Sequence, residues 1–318
     1  MSIQNMRAWR VHAFGPPDVM TLESVPRPQP GEGEVLVRVE AAGVGPWDAL
    51  IRAGRSALPQ PLPLTPGSDL SGVIVASGSR VAALREGDPV YGVTNPRFVG
   101  AYADYAVANV EMLARKSAML AHVDAAAVPV VAVTAWQALD HAKLRAGQTA
   151  VVLGAAGSVG RFVLQLARER GVNTVAVVGA GDVSLASALG ASTVIDYRAQ
   201  RLEDHVRDAD AVIDLVGGDA QARAFAILRR GGRLISAAAP PDQRLASGRG
   251  VEAKFFLVDV TRRCLETIGE WIDGLRLNTA TPTILLLEQA REAHEILEGT
   301  RPRPKGKIVL ATGGRSVP

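Results

Sequence analysis

The chain has 318 residues, of which 47% are hydrophobic and 21% are charged, and its formal net charge is +3. These values are typical of a folded globular protein and exclude a disordered chain, and the length leads us to expect two domains. The single cysteine, Cys264, excludes an intramolecular disulfide. Basic and acidic residues are interspersed, and this pattern argues against nucleic acid as the main partner.

Residues 1 to about 120 are predicted to be rich in β-strand. Residues 34–40 alternate apolar and polar side chains, as a half-buried strand does. Residues 72–78 and 89–93 form further short apolar runs bounded by glycine or proline, and many prolines lie between the runs. This pattern predicts a compact barrel with long loops.

From about residue 125 to residue 260, predicted strands alternate with predicted helices. Such alternation predicts a parallel sheet covered by helices. The predicted strands are 149–153, 173–178, 193–195, 211–216 and 233–237. The predicted helices are 159–170, 183–189, 202–207 and 220–230.

The tail is predicted to contain helices at 261–275 and 286–297 and a final strand at 306–310. We expect these elements to pack onto the first domain. The predicted domains are therefore 1–124, completed by 261–318, and 125–260. The first ten residues lack a signal-peptide core, and the longest apolar stretch, 125–139, is too short to span a membrane and contains Pro129. We expect a cytoplasmic protein that makes no membrane contact.

The most informative motif is the glycine-rich turn from Gly154 to Gly160, which follows an apolar run and precedes a helix-like run. Such a turn lets backbone amides approach a pyrophosphate, and the helix N-terminus adds a partial positive charge. The turn follows the first strand of the alternating region, where an open α/β sheet binds its ligand. The sequence therefore predicts a dinucleotide-binding domain.

Several motifs occur in one order along nearly the whole chain, at 41–44, 51–54, 65–74, 87–92, 100–105, 134–139 and 306–310. With the glycine-rich turn, they resemble the medium-chain dehydrogenase/reductase superfamily, and most closely its zinc-independent quinone oxidoreductases of the zeta-crystallin type. The resemblance implies an α/β protein with a GroES-like β-barrel domain plus a Rossmann domain built on a doubly wound parallel sheet. It also implies a homodimer joined through edge strands, for which the segments 233–239 and 255–260 are suitable.

We expect no zinc. The zinc-using branch of the superfamily has Cys where Val44 stands, His where Ser68 stands, and a lobe with four cysteines. The five histidines of this chain are scattered, whereas a zinc site needs at least three ligands at fixed spacing. Structural roles are therefore expected for the histidines.

The resemblance also implies which residues hold the cofactor. It places the diphosphate at Ala156, Gly157, Ser158 and Val159, the nicotinamide against Ala237, Ala238, Ala239 and Val258, and the adenosine ribose beside Gly179 and Tyr197. No acidic residue follows Val178, although NAD enzymes usually have one there to bind the ribose 2′-hydroxyl. Asp182 would repel a 2′-phosphate if it pointed inward, and Arg198 could compensate. NADPH is therefore predicted in preference to NADH.

The implied substrate is a quinone or an α,β-unsaturated ketone or aldehyde, which receives a hydride. Relatives commonly have Asn where this chain has Gly45 and Tyr where it has Leu50, and Trp47 is an addition that could form a wall of the pocket. We therefore expect a more apolar pocket than a typical quinone site. Thr134 is the candidate hydroxyl donor, and its alternative role is a cap at a helix start.

Three aspartates are predicted to be structural. Asp48 and Asp69 are expected to anchor loops that face the interdomain cleft, with acid catalysis as the alternative role, and Asp214 is expected to order the loop after its strand.

Two alternatives remain open. One is an enoyl thioester reductase with a basic entrance, for which the candidates are Arg52, Arg55, Arg97 and Arg249. The other is a non-catalytic NADPH-binding sensor or scaffold protein, which is consistent with the loss of polar pocket residues at Gly45 and Leu50.

Overall fold

The computed structural model of the protein describes residues 4–313. They form two compact units, of which one is Val131–Asp259 and the other combines the residues up to Val130 with those from Val260 onwards. The border predicted after residue 124 falls inside the helix His122–Ala125, whereas the units meet between Val130 and Val131.

The described residues contain the following strands and helices. The strands are β1 (Asn5–Val11), β2 (Met20–Pro26), β3 (Glu34–Val44), β4 (Asp69–Ser77), β5 (Pro89–Val93), β6 (Tyr105–Asn109), β7 (Leu113–Arg115), β8 (Thr149–Leu153), β9 (Asn173–Val178), β10 (Thr193–Asp196), β11 (Ala209–Asp214), β12 (Leu228–Ser236), β13 (Glu252–Phe255), β14 (Thr283–Leu286) and β15 (Ile308–Ala311). The α-helices are α1 (Pro46–Arg52), α2 (His122–Ala125), α3 (Pro129–Ala142), α4 (Ser158–Glu169), α5 (Val183–Ala188), α6 (Leu202–His205), α7 (Gly218–Ala224), α8 (Gln243–Arg249), α9 (Arg262–Asp273) and α10 (Ala290–Leu297).

The first unit is built on a seven-stranded sheet with the order β14-β15-β3-β4-β5-β7, in which β6 also pairs with β3. The long strand β3 is central because it pairs with β4, β6 and β15. Its last residues, Ala41 to Val44, are buried, and Ala41 packs with Ala126, Ala127 and Val309. The predicted β-rich first domain is confirmed.

The second unit is a six-stranded parallel sheet with the order β10-β9-β8-β11-β12-β13. The chain leaves β8 in one direction through β9 and β10 and continues on the other side of β8 through β11, β12 and β13. The carboxyl end of β8 therefore lies at the point where the strand order reverses, which is where such sheets bind ligands. The predicted doubly wound parallel sheet is confirmed.

Parts of the second unit differ from the prediction. The strand predicted at 211–216 is β11, which ends at Asp214, and the helix predicted at 220–230 is α7, which ends at Ala224. The remaining apolar residues of that segment, Phe225, Ile227 and Leu228, are buried in the sheet core. A short apolar run is compatible with either a helix or a strand, so the hydrophobic pattern of this segment could not show where α7 ends and β12 begins.

Two further expectations are corrected by the sheet order. The segment 233–239 is not an edge, because β12 is hydrogen-bonded to β11 on one side and to β13 on the other. In the tail, α10 begins at Ala290, because Leu286 ends β14, which pairs with β15, and Leu287–Gln289 form a 3-10 turn.

The segment His122–Ala142 is long and apolar enough to cross a membrane by length and hydropathy alone, but 72% of its most apolar window is buried within the protein. It contains two helices, α2 and α3. The burial shows that its apolar side chains already have protein neighbours, as they do in a core helix.

Candidate cofactor and substrate sites

The glycine-rich turn at the end of β8 has a backbone that requires glycine. Gly154 has a φ of +76°, and a Cβ added at Gly160 would lie 2.5 Å from the carbonyl oxygen of Gly154 and 2.6 Å from the Cα of Ala155. Helix α4 begins at Ser158 after Gly157, which is its N-cap and offers no side-chain acceptor. The first-turn amides of a helix lack intrahelical acceptors, so this turn fits an anion such as a diphosphate. Ala156 and Val159 lie in the same turn.

The residues predicted beside the adenosine ribose lie at the ends of the next two strands. Tyr197 directly follows β10 and is 57% exposed. Gly179 directly follows β9, and a Cβ added there would lie 3.7 Å from the Tyr197 ring. The guanidinium of the exposed Arg198 lies 5.7 Å from the centroid of the Tyr197 ring. A largely apolar cavity lies beside Tyr197, lined by Leu153, Val177, Ile195, Tyr197, Gln200, Leu202, Ala220 and Arg223.

A buried polar cluster holds the loop that follows β12, where the nicotinamide residues are predicted. Ser236 Oγ donates to Asp214 Oδ2 over 2.7 Å and accepts from the backbone amides of Ala238 and Ala239, each over 3.1 Å. Gln221 donates to Asp214 Oδ2 over 2.8 Å and to the carbonyl oxygen of Ala239 over 2.9 Å. The loop from Ala237 to Ala239 is therefore fixed by side chains from two strands and a helix.

Asp214 Oδ1 also accepts from the amides of Val216 and Gly217, over 3.1 and 2.9 Å. The prediction that Asp214 orders the loop after its strand is confirmed.

The half-buried Val258 follows β13, and the residues around it are tied to α3. Gln137 of α3 donates to the carbonyl oxygen of Asp259 over 2.6 Å and accepts from its amide over 3.1 Å. Thr134 lies inside α3, five residues after its start at Pro129, and is buried. The interpretation of Thr134 as a cap at a helix start is therefore wrong.

The predicted pocket residues Gly45, Trp47 and Leu50 lie in the first unit, at or within α1. Within α1, Asp48 and Arg52 are four positions apart and therefore lie on the same face of the helix. Both are fully buried. Leu50 is 44% exposed. The expectation that Asp48 lies in a loop is wrong, because it lies in α1.

Arg52 cannot serve a basic entrance. Its guanidinium donates to His294 Nδ1 over 3.1 Å and to the carbonyl oxygen of Gly15 over 2.5 Å, and it pairs with Glu298. No part of Arg52 reaches solvent. Burial and the neighbouring cation lower the pKa of His294 to about 3, so this imidazole is neutral.

Asp48 is the buried carboxylate of α1. Its Oδ2 accepts from the amide of Gly45 over 2.8 Å and from the hydroxyl of Tyr102 over 3.0 Å, while its Oδ1 has no partner among the described residues. The pKa of Asp48 is raised to about 7, mainly by burial and in part by nearby Asp69, against the opposing effect of the Gly45 amide. The bond to Gly45 confirms the expected anchoring role.

Trp47 is held from two sides. Its indole N–H donates to Ser68 Oγ over 2.9 Å, and the ammonium group of Lys307 lies 4.7 Å from the ring centroid. Lys307 is itself paired with Asp69, which also accepts from the amide of Val130 over 3.0 Å. Asp69 is the first residue of β4 and is fully buried, so the prediction that it lies in a loop is wrong. Its hydrogen bond to Val130 does anchor the start of α3, which begins at Pro129.

The positions that carry zinc ligands in the other branch do not offer them here. Val44 is buried in the core, and Ser68 accepts the Trp47 hydrogen bond. Among residues 4–313 there is no group of three or more His, Cys, Asp or Glu side chains arranged to hold a metal ion. Zinc independence stays a prediction.

Sequence reasoning missed four polar residues of these sites, namely Ser236, Gln221, Lys307 and Tyr102. Ser236 could have been found, because it ends a strand beside Asp214 and the carboxyl ends of parallel strands meet at one edge of a sheet. Lys307 and Tyr102 contact residues far away in the sequence, and no local pattern indicates such contacts.

Comparisons with known proteins match both parts of the chain. Residues 31–118 match the family "Alcohol dehydrogenase GroES-like domain", and residues 189–310 match the family "Zinc-binding dehydrogenase". The chain is 36% identical to 2-methylene-furan-3-one reductase of Solanum lycopersicum and 35% identical to the chloroplastic NADPH-dependent alkenal/one oxidoreductase of Arabidopsis thaliana. These matches cover 75% and 76% of this chain but only 64% and 65% of those proteins.

Other similar proteins are matched over nearly their whole length. Human quinone oxidoreductase is 34% identical, over 96% of this chain and 97% of that protein. The solved quinone oxidoreductase from Coxiella burnetii has a TM-score of 0.90 at 29% identity, covering 98% and 100% of the two chains. A mycobacterial protein solved in complex with NADPH has a TM-score of 0.86 at 27% identity, covering 96% and 100%. The chain therefore belongs to the quinone oxidoreductase branch of the medium-chain dehydrogenase/reductase superfamily.

Proposed function

We propose that this protein is an NADPH-dependent reductase that transfers a hydride to a quinone or an α,β-unsaturated carbonyl compound without zinc. The observation that carries the proposal is the glycine-lined turn before α4, where the strand order reverses and the first helical turn has no side-chain cap. A diphosphate is the ligand that such a turn suits. The chain belongs to a family of NAD(P)-dependent oxidoreductases, which supports the same assignment.

The preference for NADPH is supported by the end of β9. Val178 is followed by Gly179 rather than by an acidic residue, so the end of this strand lacks the carboxylate that usually accepts the ribose 2′-hydroxyl in NAD enzymes. Arg198 is exposed beside Tyr197 and supplies the positive charge that a 2′-phosphate needs. When bound, NADPH supplies the hydride.

The substrate is proposed to lie against Trp47, Leu50 and Gly45. Hydride addition to a conjugated carbonyl places negative charge on oxygen, and a hydrogen bond to that oxygen stabilises it. The role of Thr134 as a hydroxyl donor stays a prediction. The burial of Arg52 weakens the alternative thioester substrate, because it removes one of the cations considered for its entrance.

The test is the oxidation of NADPH and NADH, followed at 340 nm, against benzoquinone, a naphthoquinone, a 2-alkenal, a cyclic enone and crotonyl coenzyme A. We expect turnover with NADPH and at least one quinone or enone, at a kcat/KM at least ~10-fold above that with NADH. The rates are measured with and without EDTA, and we expect no difference.

Three outcomes would contradict the proposal. Turnover of the thioester alone would favour the enoyl reductase. NADPH binding without turnover of any electrophile would favour a sensor or scaffold. Inactivation by EDTA that added zinc reverses would reject zinc independence. The homodimer and the cytoplasmic location stay predictions.

A further inference from the structure

Gly45 is a glycine whose backbone does not require one. Its φ of −130° and ψ of 160° are extended values that any residue adopts. A Cβ at this position would, however, lie far inside van der Waals contact with Cζ2, Cη2 and Cε2 of Trp47. The indole therefore occupies the volume that a side chain at residue 45 would fill.

The indole is also locked in that volume. Its N–H is used by Ser68, and the Lys307 ammonium lies near its face while paired with the buried Asp69. Lys307 is only 7% exposed, so little water surrounds its ammonium group. The attraction between this cation and the indole ring is therefore only weakly screened by solvent. Trp47 packs partly on the core of its unit and stays partly exposed.

This arrangement determines what the start of α1 can offer a ligand. Gly45 has no side chain, the Trp47 donor is already satisfied, and Leu50 is apolar. A planar aromatic wall without a free side-chain donor suits a flat and apolar molecule. A quinone has two carbonyl oxygens that need partners, whereas a 2-alkenone or 2-alkenal has one, and an unpaired carbonyl in a dry site is costly.

We propose that Trp47 is the specificity-determining residue of the substrate site and that it selects flat, apolar, single-carbonyl enones and enals over quinones. The proposal rests on the proposed reductase function. Gly45 and Trp47 act as one unit, because the indole excludes any side chain at residue 45.

The test is a double-mutant cycle with Gly45→Asn, Trp47→Ala and the double variant, assayed with NADPH against 3-nonen-2-one and a naphthoquinone. In the single variant Gly45→Asn, the Trp47 indole leaves no room for the Asn side chain. We therefore expect kcat/KM to fall ~10-fold or more for both substrates. In the double variant the Asn side chain fits and adds a donor. We expect it to recover activity and to raise the quinone-to-enone ratio of kcat/KM ~10-fold above wild type.

Trp47→Phe is the matched control, because it keeps a flat apolar ring, although it loses the N–H together with part of the ring area. We expect it to keep the wild-type preference. Circular dichroism and NADPH affinity identify variants that fail to fold, and Trp47→Phe keeps the test valid if Gly45→Asn is unstable.

The proposal is overturned if wild type prefers the quinone, if Trp47→Ala leaves the ratio unchanged, or if the two single effects simply add. These outcomes differ from failure of the reductase function, in which wild type oxidises NADPH with neither substrate.

Discussion

At the scale of single residues, Asp48 fixes α1 by means of a carboxyl group that is fully buried. The amide of Gly45 and the hydroxyl of Tyr102 both donate to one oxygen, and the other oxygen has no partner among the described residues. A proton on that second oxygen removes a buried charge. The neutral form of Asp48 is therefore more favoured in the folded protein than in the unfolded chain.

The pH dependence of folding stability follows from this group. Because the folded pKa of about 7 lies above the ordinary value of 3.8, Asp48 contributes stability that is complete below pH 4 and is lost as pH rises through 7. Asp48→Asn copies the neutral form. We expect its Tm relative to wild type to rise by on the order of 2 °C or more between pH 5 and pH 8.

Thermal unfolding of wild type, Asp48→Asn and Asp18→Asn across this pH range measures the effect. Asp18 is exposed, so its variant should follow wild type at every pH. A constant difference between Asp48→Asn and wild type would show that Asp48 is ionised throughout.

At the scale of elements, the adjacent ends of β11 and β12 position the loop after β12. Asp214 and Ser236 are paired in the sheet register, and the Ser236 hydroxyl accepts two amides of the loop. Under the proposed function, these groups position the loop that is predicted to bind the nicotinamide, which needs accurate alignment for hydride transfer.

Ser236→Ala is predicted to loosen this loop. The amides of Ala238 and Ala239 lose their acceptor, so we expect kcat to fall ~10-fold and the KM for NADPH to rise ~3-fold or more. Ser247→Ala is the matched control, because Ser247 is exposed on α8 and bonds only within that helix. A lower Tm with unchanged kcat and KM would assign Ser236 a purely structural role.

The same elements show what could be predicted from the sequence. The bounds of β8 and β9 were predicted to the residue, because apolar runs are cut there by Gly154 and Gly179. Helix α3 was not predicted, since its nearly uniform apolar composition gives no amphipathic period. The contacts of Trp47 with Ser68 and Lys307 join distant segments, and the sequence pattern carries no information about them.

At the scale of the whole molecule, the proposed roles divide between the two compact units. The proposed cofactor residues and Thr134 lie within Val131–Asp259, and Gly45, Trp47 and Leu50 lie in the other unit. The division of roles was predicted from the order of motifs along the chain. The residue at which the chain passes from one unit to the other was not predicted, because it lies inside α3 and the apolar run 125–133 continues across it without a change in composition.

The central claim is that the protein itself transfers a hydride from NADPH to an electrophilic carbon. The most direct measurement is a reaction with NADPH deuterated at the transferred position of nicotinamide C4 and 3-nonen-2-one, with the product analysed by mass spectrometry and NMR. We predict one deuterium on the carbon β to the carbonyl. Tight NADPH binding without deuterium in the reduced enone, and without oxidation of NADPH by a quinone, would contradict the account.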